Sequence, residues 1–145
     1  MISLIQRVSE ASVSVDGKVT GRIGRGLLVL LAVQPDDNET RIARMAERVL
    51  TYRVFPDNED RMNRSLLDDG YELLVVPQFT LAADTRKGTR ASFTGAAAPA
   101  KGREFFERFV AKCKESLPGV ETGVFGANMQ VALVNDGPVT FWLEA

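Results

Sequence analysis

Histidine is missing from all 145 residues of this chain, and cysteine and tryptophan occur once each. Without histidine there is no Ser-His or Cys-His hydrolase, and the commonest metal ligand is gone. The lone Cys113 cannot build a disulfide framework or a Cys-rich zinc site, which fits a reducing compartment. The longest apolar run, Leu27 to Val33, is too short to cross a bilayer. The first residues, Met1-Ile2-Ser3-Leu4-Ile5-Gln6-Arg7-Val8, carry no basic leader, apolar block and small-residue cleavage site. Net charge is −1 with a pI near 5.5, so no global field draws the chain to nucleic acid. Gly21, Gly24, Gly26 and Gly126 do not form a phosphate-binding fingerprint ahead of a helix. The acidic clusters at Asp36-Asp37, Asp57 to Asp60 and Asp68-Asp69 follow cap or turn grammar and match no ligand spacing. These absences predict a soluble, cytoplasmic domain with no metal and no membrane partner.

What remains is an ordinary composition, 45% hydrophobic and 26% charged, in one domain's length of chain. Residues 2–15 alternate loosely up to Asp16-Gly17, a hairpin signal, and a second strand runs from about Lys18 to Ile23. Leu27 to Val33 reads as a strand buried on both faces. Asp36 with Glu39 resembles a capping box opening a helix whose apolar stripe is Ile42, Met45, Ala46, Val49 and Leu50. Extended structure returns at Arg53-Val54-Phe55, Pro56 to Arg64 reads as a loop, and Tyr71 to Val76 as a buried strand. Residues 82–100 are irregular, a length that usually belongs to a binding loop. A second helix follows from about Lys101 to Ser116, placing Phe105, Phe106, Phe109, Val110 and Cys113 inward. The tail from Val120 to Leu143 reads as three short strands, turning at Gly126-Ala127-Asn128 and at Asp136-Gly137-Pro138. Two helices against roughly seven strands predict a sheet-rich α/β domain with the helices layered on one side.

Two segments are placed to carry chemistry. Gln78-Phe79-Thr80 lies where a buried strand gives way to irregular chain, and amides leaving a strand can point at a developing oxyanion. The Thr80 hydroxyl has no histidine to take its proton and no lysine beside it in sequence, which favours positioning over covalent attack. Gln78 both donates and accepts, as orienting a polar substrate requires. Asn135-Asp136-Gly137-Pro138-Val139-Thr140 presents backbone more than side chain, because proline fixes φ, removes an N–H and tolerates a cis bond at ~0.5–1 kcal/mol. An ordinary tight turn at Gly137-Pro138 and an ordinary strand end at Gln78 remain open on spacing alone. Arg86, Lys87 and Arg90 crowd a glycine-containing loop and are candidates for phosphate contacts. Arg41, Arg44 and Arg48 recur at helical spacing as solvated surface charge.

Along essentially its whole length the chain resembles the D-aminoacyl-tRNA deacylases. The matching blocks are Ile5-Gln6-Arg7-Val8 with Ala11-Ser12-Val13, Gly26 to Leu30, Gln78 to Leu81, Gly123 to Ala127 with Met129, and Asn135 to Thr140. The resemblance implies a single domain over residues 1–145 with a three-layer β/β/α fold, mixed sheets and two main helices. It implies a cofactor-free homodimer that hydrolyses the ester joining a D-amino acid, and often glycine, to the 3′-terminal adenosine of tRNA, a proofreading role in translation. It implies a cis Gly137-Pro138 peptide that reaches from each subunit into the partner's pocket, holding the substrate ammonium and excluding an L side chain. The amides of Gln78, Phe79 and Thr80 would face the ester carbonyl, Arg7 would brace the Gly-Pro loop, and Phe125 and Met129 would line the adenosine pocket. A non-enzymatic module that grips the tRNA end is the alternative. Pro77 stands where the family usually has serine, which puts that hydroxyl's anchoring role in question. Ala91 replaces a usual proline, from which a looser loop is expected.

Overall fold

The computed structural model describes residues 1–145. Strand β1 (Ile2–Val15) is the spine. Along one edge it pairs antiparallel first with β3 (Gly26–Ala32) and then with β2 (Lys18–Ile23), while β8 (Gln130–Glu144) follows its opposite edge. Parallel to β3 runs β6 (Glu72–Pro77), and parallel to β6 the short β7 (Val120–Thr122). The sheet curls until β2 lies over β6 and β7, so closely that a Cβ on Gly21 would stand 2.7 Å from the Thr122 carbonyl oxygen.

Strand alternation divides the core in two. Leu27, Val29, Leu31, Leu73 and Val75 face the helices, where they meet Ile42, Met45, Val49, Phe106, Phe109 and Cys113. Leu28, Leu74 and Val76 point to the other side, against Val8, Val13 and Ile23 of the curled sheet. This is the expected β/β/α layering, and it explains why β3 and β6 read as apolar on both faces.

Helix α1 (Glu39–Thr51) carries the predicted stripe, but its cap is Asn38, whose side chain accepts from the Arg41 amide at 3.0 Å. The expected Asp36 cap fails because its neighbour Asp37 is drawn inward. The Asp37 carboxylate takes the buried Met1 ammonium at 2.6 Å and the Gln34 amide at 2.7 Å, so the helix starts later. The stretch read as a loop from Pro56 contains the hairpin β4 (Phe55–Pro56) with β5 (Met62–Arg64). A one-turn helix, α2 (Leu66–Asp69), follows, closed by a Ser65–Asp68 capping box and by Gly70 in the left-handed region. Helix α3 (Pro99–Lys114) opens on proline at its first position.

The tail departs most from expectation. It contains two strands where three are predicted, since β8 runs unbroken from Gln130 to Glu144. Gly137 and Pro138 therefore do not join two strands. They sit in an outward excursion of one long strand.

Candidate active site at a strand excursion and a strand end

The excursion is defined by register. Gln6 pairs with Thr140 and Val8 with Asn135, so the four residues Asp136 to Val139 stand opposite Arg7 alone. The Gly137–Pro138 peptide is cis, and Gly137 has φ +132°. Arg7 fastens the loop: Nε donates to the Asp136 carbonyl at 3.1 Å, and Nη1 donates to the Val54 carbonyl at 2.7 Å. Asn135 closes it from inside, its Oδ1 accepting from the Val139 amide at 3.1 Å and its Nδ2 donating to Thr140 Oγ1 at 2.9 Å. Arg7 thus ties the loop to the residue that precedes Phe55. The Val54 anchor and the Asn135 clasp are additional, and an Asn two residues before a glycine is the one sequence signal that could have flagged the latter.

At the end of β6 the chain enters a single 3-10 turn, Phe79–Ala82, whose first internal bond is from the Leu81 amide to the Gln78 carbonyl. The amides of Phe79 and Thr80 precede that bond and have no acceptor inside the turn. Gln78 differs: its amide, one of the three expected to face a carbonyl of the substrate, already donates to the Leu31 carbonyl at 2.8 Å. Strand pairing continues one residue further than the sequence indicated. The Gln78 side chain instead turns to Thr80, with Nε2 donating to Oγ1.

Proline is tolerated at position 77 for a register reason. The Gln78 amide points toward β3, so the nitrogen before it points toward β7, whose pairing has already stopped at Val75 opposite Thr122. No ladder bond is forfeited. Beyond Pro77 lies Met129: a Cβ on Gly123 would meet Met129 Sδ at 2.8 Å and Pro77 Cδ at 3.4 Å. Phe125, in the same loop, leans on α3, with its ring 6.4 Å from that of Phe106 and under the Arg103 guanidinium. Gly102 makes the room, since a Cβ there would stand 3.1 Å from the Phe125 ring. A glycine inside a helix was the available signal for that contact.

The basic loop is less uniform than its sequence. Arg86 is clamped on Asp84 through two hydrogen bonds, at 2.9 and 2.6 Å, which holds the Asp84 carboxyl well below the usual carboxylate range. Lys87 and Arg90 make no ion pair. The loop closes through paired backbone bonds between Asp84 and Ser92 at 2.7 and 3.0 Å, beside Ala91.

One chain does not bring the two segments together. The excursion is opposite Arg7, which pairs with Leu27, whereas Pro77 pairs with Leu31. They are separated by about 13 Å along the strands and about 14 Å across them.

Residues 4–144 match the family model described as D-Tyr-tRNA(Tyr) deacylase. The chain belongs to this family. It is 63% identical to a D-aminoacyl-tRNA deacylase of Alkalilimnicola ehrlichii, covering 100% of this chain and 97% of the relative. It is 57% identical to that of Actinobacillus succinogenes over the full length of both. Among solved structures it is similar to one described as c-Myc DNA unwinding element binding protein, with TM-score 0.96 and 36% identity over 100% of this chain and 99% of the other. A structure of a probable eukaryotic D-amino acid tRNA deacylase, at TM-score 0.87 and 19% identity over 99% and 98%, shares the fold.

Proposed function

We propose that this protein hydrolyses the ester of D-aminoacyl-tRNA, and of glycyl-tRNA, through a site completed by a second copy of the chain. The observation that carries the reading is the pair of unengaged amides at Phe79 and Thr80, in a chain 63% identical throughout to a D-aminoacyl-tRNA deacylase. These amides donate to the ester carbonyl oxygen as negative charge develops on it. One such preorganised donor typically supplies ~2.7–4 kcal/mol of transition-state stabilisation. Water adds to the carbonyl carbon. The ribose 3′-oxygen leaves with its bonding pair and takes up a proton, with the neighbouring 2′-hydroxyl assisting. Free amino acid and tRNA result. An aminoacyl ester is already activated, so positioning and an oxyanion hole suffice without histidine.

Handedness follows from where the substrate is held. The carbonyls of Gly137 and Pro138 take the α-ammonium, the amides take the ester carbonyl, and only one direction remains for a side chain. An L side chain runs into the Gly-Pro wall, whereas glycine has none to collide. Because the two segments lie far apart within one chain, the wall comes from the partner subunit. The free edge of β8, with exposed Leu133, Val134, Phe141 and Trp142, supports such pairing. Phe125 and Met129 face the adenosine, and Lys87 and Arg90 face backbone phosphates.

The decisive assay compares D-Tyr-tRNA with L-Tyr-tRNA at neutral pH. We expect rapid release from the first and little from the second. Intact D-Tyr-tRNA after hours, while a control deacylase clears it, overturns the reading, and tight tRNA binding without turnover points to a binding module. Subunit sharing is tested by mixing inactive Gly137→Ala with inactive Thr80→Pro. Random re-pairing restores about a quarter of the sites if each contains segments of both chains, and none otherwise.

A further inference from the structure

Phe79 contributes more to the surface than an amide. The residue is 56% exposed, and its ring meets that of Phe93, a residue 47% exposed, at a centroid distance of 5.2 Å and a tilt of 59°. Two large aromatic faces open to water at one spot are costly to solubility and contribute nothing to the two cores. The loop that delivers Phe93 is built to hold it. Asp84 and Ser92 exchange backbone bonds immediately before it, and the Ala96 amide donates back to the Phe93 carbonyl at 3.0 Å. Ala97 is tied to the Val33 carbonyl at 2.9 Å, and Gly95 permits a close approach, since a Cβ there would stand 2.4 Å from the Ala82 carbonyl oxygen. The same loop carries Lys87 and Arg90 without ion-pair partners.

Exposed aromatic faces on a loop that also carries uncommitted cations suit single-stranded nucleic acid, which is bound by base stacking and phosphate attraction. Resting on the ester-hydrolase reading above, we propose that Phe79 and Phe93 form a stacking platform for the unpaired nucleotide preceding the terminal adenosine of tRNA. Chain order supports this placement. The amides of Phe79 and Thr80 mark the ester, and Met129 lies beyond Pro77 on the adenosine side. The aromatic pair joins Phe79 to the 83–98 loop, which leaves that side for the preceding phosphate and base. The platform reads no sequence, because every base offers a π face.

The test compares two substrates of the intact protein, D-tyrosyl-tRNA and D-tyrosyl-adenosine, which lacks the preceding nucleotide. Phe93→Ala is expected to raise KM for the tRNA about tenfold with kcat nearly unchanged, and to leave D-tyrosyl-adenosine hydrolysis at the wild-type rate. Phe93→Trp should restore the tRNA KM. Equal loss on both substrates, or no loss on either, overturns the platform while leaving the hydrolase intact. A wild-type protein inert on both substrates overturns the hydrolase reading and the platform with it.

Discussion

The guanidinium of Arg7 is packed against the α-carbon of Gly137, so that a Cβ built there would lie 3.1 Å from Nη2 and 2.8 Å from Val139 Cγ2. Glycine is also demanded by φ +132°, a region that side chains avoid. Gly137→Ala should therefore shift the excursion without unfolding the sheet, because β8 pairs with β1 on both sides of it. Strain of ~1–3 kcal/mol is expected. Activity on D-Tyr-tRNA should fall about a hundredfold, as small misplacements of a positioning group do. Steady-state kinetics with far-UV circular dichroism checks this, and retained activity would free Gly137 of its assigned part.

Arg7 serves two carbonyls at once, Asp136 through Nε and Val54 through Nη1. Lysine reaches one of them and lacks the planar fork. Arg7→Lys should leave hydrolysis of D-Tyr-tRNA measurable and reduce the D-over-L preference about tenfold. The preference, rather than the rate, is the quantity to measure, since a loss of folded protein lowers both substrates alike.

Thr80 is assigned through its amide, and its hydroxyl is occupied by Gln78 Nε2. Thr80→Ala should keep activity within about tenfold of wild type, and Thr80→Pro should lose about a hundredfold or more through the missing donor. Equal collapse in both variants, with a trapped acyl-protein in the wild type by mass spectrometry, would make the hydroxyl a nucleophile.

The stability of the N-terminal edge depends on the Met1–Asp37 ion pair, beside which Arg41 Nη1 reaches the same carboxylate oxygen at 3.5 Å. The Met1 ammonium and the Asp37 carboxylate are fully buried at 2.6 Å, with Gln34 Oε1 at 2.8 Å and the Ala145 carbonyl at 3.1 Å completing the ammonium's acceptors. Removing one partner of such a pair strands the other charge at a cost of about 3–5 kcal/mol. Asp37→Asn should lower Tm by roughly 10 °C in scanning calorimetry. An unchanged Tm would mean that the ammonium finds water instead.

Much of the fold was legible because burial imposes periods. The alternation of Leu27 to Leu31 between two cores and the stripe from Ile42 to Leu50 both read directly from apolar spacing. Helix α2 was not legible by period, since four residues show none, although Ser65-Leu66-Leu67-Asp68 and Gly70 contain both of its caps. The cap at Asn38 was misplaced to Asp36 because the partner of Asp37, the chain's own ammonium, is brought to it by strand pairing, Ile2 standing opposite Ala32. Gly137 and Pro138 stood out in the sequence as a pair that presents backbone, with an ordinary turn left open, but their place in one continuous strand was hidden. A four-residue excursion opposite Arg7 depends on pairing with β1, more than a hundred residues earlier in the chain. For the same reason the loss of the Gln78 amide to Leu31 was invisible, being a register fact between two strands.

Cys113 links the core to pH. The thiol is buried on the inner face of α3, and desolvation pushes it from its ordinary 9.0 up to about 12. Thiolate at pH 8 is then about a thousandfold scarcer in the native protein than in the unfolded chain. Ellman's reagent should label native Cys113 only as fast as the core opens, and at once in denaturant. The linkage has a definite sign: the folded state holds the proton more tightly, so this contribution to stability is fully present below pH 9 and is lost as pH rises from 9 toward 12. Cys113→Ala should flatten that alkaline decline in Tm while lowering stability at neutral pH by ~1 kcal/mol for the small cavity left behind. Rapid native labelling at pH 8 would show that α3 does not seal this part of the core.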